Sequence, residues 1–279
     1  SALTGAETDP VTRYIIIESR LPQALTALLC GATLAASGLV LQTLFQNPLA
    51  DPSILGVNSG ASLGVAIVML LLGGSVVTMG AVLSGFLLIV AAAFAGALSI
   101  IALLALLANY VRSNITLLII GIMISYITSS VISLLNYSAT EQGVHSYVMW
   151  GLGNFGGVSL KAMPFFSIAM TICTVFCITL IKPLNALLLG NRYACNLGFN
   201  IKRIRNTMLI STGLISALTT AFCGPISFIG LAVPHITRMV SRTANNRTLM
   251  PLTLLFGGII GLTCNWVCSL PSDGTLIPL

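Results

Sequence analysis

Charge is what this sequence has least of. Only 6% of its 279 residues are Asp, Glu, Lys or Arg, while 56% are hydrophobic. A soluble domain carries about 25% charge, so a chain this apolar has lipid as its solvent, and it is long enough for several spans of roughly 20 residues. No lysine follows a glycine, so a Walker A phosphate loop is absent and ATP cannot be used by that route. There is no H-E-x-x-H, no nucleophile elbow and no carboxylate pair inside an apolar run, which argues against an enzyme. Nor is there a C-x-x-C among the seven cysteines, and no disulfide framework is implied. Cys173/Cys177 and Cys264/Cys268 share helix faces at a spacing of four. With no His or carboxylate nearby in sequence to complete a site, they read as small packing residues rather than metal or redox pairs. No cofactor and no metal are expected. Ser1 to Arg20 lacks the apolar core of a signal peptide.

What is present is a series of apolar runs separated by short polar breaks. Eight spans are expected: Leu21–Phe45, Ser53–Leu72, Gly80–Ala108, Ile115–Asn136, Ala162–Ile181, Thr207–Phe222, Ile226–Ser241 and Leu249–Ser269. The fold class is therefore all-α, a polytopic membrane helical bundle. The sixth and seventh runs are short and separated only by Cys223-Gly224-Pro225, so they are expected to tilt or partly re-enter.

The net charge of +6 comes from basic residues in the connections. Arg112, Lys182, Arg192, Lys202, Arg203, Arg205, Arg238, Arg242 and Arg247 fall on one side; Arg13, Arg20 and Lys161 fall on the other. The basic-rich side is expected to be cytoplasmic. The acids lean the other way: Glu7, Asp9, Glu18, Glu141 and Asp273 outside, only Asp51 inside. The spans leave no continuous basic surface for nucleic acid. Both ends then lie outside. An external start without an earlier span is hard to insert, and Leu270 to Leu279 is turn-rich as if another span should follow. The expectation is eight spans of a ten-helix protein.

Within the runs, Tyr126, Ser129, Ser133 and Asn136 recur at steps of three, four and three, on one helical face. A polar stripe in lipid either lines a water-filled path or hydrogen-bonds to other helices. Gly56, Gly60 and Gly64 form a doubled G-x-x-x-G, a spacing that lets helix backbones approach closely. The loop 182–206 is the main feature outside the membrane. Pro183 is expected to stop the preceding helix, and a helical segment near Asn191 to Leu197 is expected to lie flat on the membrane face, docking a partner or the lipid interface. A proton-coupled carrier would want an intramembrane carboxylate or a His relay, and the spans offer only His235. A sodium-coupled secondary transporter or a channel stays open as an alternative. A transporter driven by a separate ATPase fits best.

Several segments resemble the permeases of ABC importers for iron-siderophore, haem and cobalamin. They are Arg20-Leu21-Pro22; Asn47-Pro48-Leu49-Ala50-Asp51-Pro52 running into Ser53-Ile54-Leu55-Gly56-Val57-Asn58-Ser59-Gly60-Ala61; and Trp150-Gly151-Leu152-Gly153. Pro183-Leu184-Asn185 with Ala194-Cys195-Asn196-Leu197-Gly198, and Gly224-Pro225-Ile226-Ser227-Phe228-Ile229-Gly230-Leu231 with Pro234-His235-Ile236-Thr237-Arg238, complete the likeness. It covers essentially the whole chain. The resemblance implies a single transmembrane permease domain over 1–279, with 182–206 as its cytoplasmic coupling loop, in the bacterial inner (plasma) membrane. It implies a homodimer with a second permease copy, an ABC ATPase subunit below and a periplasmic or lipoprotein binding protein above.

It also implies that the fourth span lines the central path, with Ser113 and Asn114 at the cytoplasmic gate, and that Leu189, Gly190, Asn191, Ala194, Leu197 and Gly198 take the push of the ATPase. Arg20 resembles a docking point for acidic residues of the binding protein. The family often has a second arginine where this chain has Gln23, and an acid where it has Asn191. His235 is read as capping carbonyls freed by Pro234 rather than as a ligand.

Overall fold

The computed structural model describes residues 13–71, 85–111 and 113–269, and every regular element among them is helical. A π-helical turn, Ile15–Arg20, runs directly into α1 (Leu21–Phe45). A 3-10 turn (Pro52–Leu55), α2 (Val57–Ala66) and a π turn (Ile67–Leu71) follow. Then come α3 (Gly85–Tyr110), α4 (Asn114–Ser138), α5 (Glu141–Gly151), α6 (Met163–Thr179), α7 (Ile181–Leu188), α8 (Asn191–Asn196), α9 (Ile201–Cys223), α10 (Ile229–Ser241) and α11 (Asn246–Cys268).

Helix α1 is the hub. It packs on α11, α10, α9 and α6, and 72% of its most apolar stretch is enclosed, against 17–22% for α3, α4 and α11. The outer helices therefore turn apolar side chains outward, as lipid-facing helices do. Small residues bring the backbones together, because lipid supplies no hydrophobic drive between helices. Gly31 of α1 lies against Gly257 and Gly261 of α11, and Gly38 lies against Gly230 of α10, with no room for a Cβ at either contact. In the doubled glycine motif, Gly60 packs on Gly96 and Gly64 on Ala92 of α3. Gly56 plays another part: at φ +80° it turns the chain into α2 beside Gly121 of α4.

Of the eight expected spans the described residues bear out part, and several bounds differ. Five described helices are long and apolar enough to cross a membrane, or six if α6 and α7, bent by 43°, count as one. The sixth run is longer than expected: α9 extends back to Ile201, taking Lys202, Arg203 and Arg205 into its first turns, with Asn200 capping Arg203 N at 3.1 Å. Long basic side chains can reach the interface from a helix end, so charge there does not terminate the helix. The seventh run is short, as expected: at 1.5 Å per residue α10 reaches only about 20 Å, less than the roughly 30 Å hydrocarbon core. In the second run α2 and the π turn form one apolar helix, Val57–Leu71, up to the edge of the described residues. Residue 72 and residues 80–84 of the expected runs lie outside the described residues, as do Glu7, Asp9, Arg112, Asp273 and the 270–279 end.

Pro183 does not stop a helix. The break comes at Leu180, and Pro183 sits in the first turn of α7, where its missing N–H costs nothing. Helix α8 forms where the flat helical segment was expected. Helix α5 was not expected; Thr140 caps it, accepting from Gly143 N at 3.2 Å.

Candidate functional site: a polar cavity between broken helices

Two breaks in the helical pattern build the site. After α1, Gln46 adopts a left-handed conformation (φ 49°) and the chain folds back on itself. The returning segment carries Asp51, which is buried; its carboxylate accepts from Ser53 N at 3.0 Å and from the Ser53 hydroxyl, and it lies against Gly230 at the start of α10. Helix α2 starts beside Gly121, seven residues or about 10 Å along α4. The second break is Gly224–Phe228 between α9 and α10, bracketed by left-handed residues (φ +75° and +70°).

Between these breaks lies a cavity of about 500 Å³. Helix α4 contributes Ser129, Ile132, Ser133 and Asn136; the α2 side contributes Ser53, Asn58, Ser59 and Ser62; Tyr147 of α5, Pro225 and Ser227 close it. Among the described residues the lining holds hydroxyls and amides but no charged side chain. Asn58 is oriented from behind: its Oδ1 accepts from Ser216 (2.6 Å) and Thr220 (3.0 Å) of α9. Asn136 Oδ1 is buried without a partner. Ser133 spends its hydroxyl on Ser129 O at 3.0 Å. Thus Ser129, Ser133 and Asn136 come together on the cavity wall, whereas Tyr126 is highly exposed and outside it. Asn58, Ser59 and Ser62 stand out in the sequence only as polar residues between glycines, and Tyr147 does not stand out at all. Their grouping depends on the fold-back that starts α2 beside Gly121 of α4.

At the other end of α4, Ser113 caps the helix, accepting from Thr116 N at 3.4 Å. Asn114 Nδ2 donates to Leu44 O of α1 at 2.8 Å, and its Oδ1 accepts from Arg205 at 3.4 Å. Arg205 is buried and also donates to Ala108 O near the end of α3, placing a cation where helix carbonyls gather. It had been counted only as a loop charge; its helical position was the missing information.

The α7–α8 hairpin lies on the same side. Gly190 and Gly198 have φ of +100° and +85°. Leu189, Asn191 and Leu197 are exposed, whereas Ala194 is fully buried beneath them. The hairpin is tied to the bundle by polar groups: Gln46 Nε2 donates to Leu187 O at 3.3 Å, and Asn185 Oδ1 accepts from Asn246 N and Nδ2 at 2.8 and 3.0 Å. Arg20, in the π-helical turn before α1, is exposed.

His235 does not cap carbonyls; it is exposed. Pro234 frees Gly230 O, four residues earlier. The buried side chain of Gln42 on α1 takes its place, with Nε2 3.4 Å from Gly230 O and 3.1 Å from Leu231 O, while its Oε1 accepts from Arg238.

An all-helical bundle of membrane length, with broken helices walling a neutral polar cavity, defines a membrane transport subunit. A profile of the FecCD transport family matches residues 1–279, and the chain belongs to that family. It is 34% identical over 276 residues to the molybdate import system permease protein MolB of Haemophilus influenzae, covering 98% of this chain and 78% of the relative. It is 35% identical over 260 residues to the vitamin B12 import system permease protein BtuC of Salmonella paratyphi A, covering 93% and 77%. Among solved structures it is similar to one described as an inward-facing conformation of a metal-chelate type ABC transporter: TM-score 0.86, 32% identity, 99% of this chain and 85% of that one. PsaBC from Streptococcus pneumoniae shares the fold at TM-score 0.57 and 18% identity, over 87% and 78%.

Proposed function

We propose that this chain is the transmembrane subunit of a bacterial inner-membrane ABC importer that moves iron-siderophore, haem or cobalamin through the cavity beside α4. The observation that carries this reading is the cavity itself: uncharged, hydroxyl-rich and bounded by two helix breaks, in a chain without a phosphate loop. Such a wall offers a bulky ligand many weak contacts and no strong trap. Energy must then come from elsewhere. The exposed Leu189 and Leu197 on the α7–α8 hairpin give an ABC ATPase an apolar foothold, with Gly190, Asn191, Ala194 and Gly198 shaping the turn.

The hairpin's ties to α1 and α11 would carry the push inward, and Ser113, capping α4, with Asn114, pinned to α1 and Arg205, would form the gate on that side. Residues 182–206 are then a coupling loop within one permease domain. All eight apolar segments enter the membrane, α10 to part of its depth, and a second copy completes the path as a homodimer. Arg20 would meet the periplasmic or lipoprotein binding protein. Family membership favours this over a sodium-coupled carrier or a channel.

The test is reconstitution of the full-length permease with its ATPase and binding protein in vesicles. Radiolabelled cobalamin, ferric siderophore, haem and, because a 34%-identical relative is a molybdate permease, molybdate are offered in parallel. ATP-dependent accumulation of one of the first three is expected. Accumulation of molybdate alone overturns the ligand class, and uptake driven by a sodium gradient without ATP overturns the mechanism.

A further inference from the structure

Cys30 on α1 and Cys223, the last residue of α9, lie 193 positions apart in the chain with their sulfurs at 3.8 Å. Both are buried and both are free thiols. Cys30 sits in the most enclosed of the five long apolar helices among the described residues, beside the glycine contact that joins α1 to α11. Cys223 is the root of the Gly224–Phe228 break: its carbonyl accepts from Asn154 N at 2.8 Å, and the next residue is the left-handed Gly224. Pro225, one step further, belongs both to the wall of the polar cavity and to that of a second, apolar cavity of about 590 Å³ beside α11. The other two cysteine pairs each lie within a single helix, where a link would fix nothing new. Cys30 and Cys223 join two elements whose relative position sets the cavity wall.

We propose that Cys30 and Cys223 form a redox-responsive dithiol whose closure to a disulfide staples the cavity wall to α1. In this step two S–H bonds break and one S–S bond forms. The two hydrogen atoms, with two electrons, pass to a lipid-soluble oxidant of the quinone class, which leaves as the hydroquinone. A disulfide needs about 2.05 Å between sulfurs, so the present contact closes by roughly 1.8 Å. Rotation about the two Cα–Cβ bonds is the movement that closes it. The bond itself does not depend on the permease reading; its effect on transport does.

The experiment uses the full-length permease in complex with its ATPase in vesicles, treated with tetramethylbenzoquinone, which has no free ring position to alkylate a thiol. Peptide mapping by mass spectrometry under non-reducing conditions should find the Cys30 and Cys223 peptides joined, and dithiothreitol should separate them. Cys30→Ala and Cys223→Ala, with Cys30→Ser as a second variant should alanine unsettle the packing, should give no such species. ATP hydrolysis by the complex should fall on oxidation and recover on reduction in the wild type, and stay constant in Cys30→Ala. Failure of the joined pair to appear in folded wild-type protein overturns the proposal. A joined pair with unchanged hydrolysis overturns its hold on the cavity wall and leaves the permease reading untouched.

Discussion

Gln42 supplies from α1 the hydrogen bond that Pro234 removes from α10. A proline inside a helix orphans the carbonyl four residues back, and in a membrane no water replaces the missing donor. The Gln42 amide reaches Gly230 O and Leu231 O while its oxygen holds Arg238. One neutral side chain thus satisfies a helix break and a partly buried cation, and pins a short helix to the hub of the bundle.

Gln42→Leu should therefore destabilise the purified permease by about 1 kcal/mol, since interhelical hydrogen bonds in membranes average roughly 0.6 and reach about 1.7 kcal/mol. In a Pro234→Ala background, residue 234 regains its N–H and Gly230 O its helical partner, so the same substitution should cost less. Arg238 loses its acceptor in both backgrounds, so some cost remains. Denaturation of the four proteins gives the cycle. Equal costs in both backgrounds would show that the Gln42–Gly230 contact contributes nothing.

Orientation is tested by labelling. With the basic-rich side cytoplasmic, Ala139→Cys at the end of α4 should react with an impermeant thiol reagent in intact cells expressing a cysteine-free background. Asn245→Cys, which starts α11 beside the α7–α8 hairpin, should react only after lysis. The reverse pattern would invert the topology.

Coupling through the hairpin gives a third expectation. Leu197 is more than half exposed, so Leu197→Glu should leave the fold intact while placing a charge in the proposed foothold. Stimulated ATP hydrolysis should drop or the ATPase should dissociate, as seen by co-purification. Gly198 at φ +85° should behave worse, because a side chain there strains the turn itself. Normal stimulated hydrolysis in Leu197→Glu would remove the hairpin from the coupling route.

How far the sequence carried this account depends on the kind of signal each residue gave. The polar face of α4 was legible because its period is helical: Ser129, Ser133 and Asn136 do share a cavity. Close packing was legible at Gly60 and Gly64 for the same reason. The shortness of α10 was legible too, from the Cys223-Gly224-Pro225 break before it. The fold-back between Gln46 and Gly56 was not: Ser53, Ile54 and Leu55 read as part of the second span, whereas they lie in a 3-10 turn and α2 begins only at Val57. Asp51 reads in the sequence only as the one acid on the inner side, whereas it is buried beside Gly230. Arg205 and Gln42 were missed because their partners lie on other helices, and most are backbone carbonyls, Ala108 O, Gly230 O and Leu231 O, which leave no trace in side-chain spacing.

The central claim is that the cavity beside α4 is the path of an ATP-driven importer, and ligand uptake by Ser133 variants tests it most directly. Ser133→Ala should transport nearly normally, since its hydroxyl bonds only to the neighbouring Ser129 carbonyl and one such bond in a membrane is worth about 1 kcal/mol or less. Ser133→Trp should fill part of the cavity, abolishing accumulation of the labelled ligand in vesicles while leaving complex assembly and ATP hydrolysis in place. A Ser133→Trp permease that accumulates ligand at the wild-type rate would contradict the account.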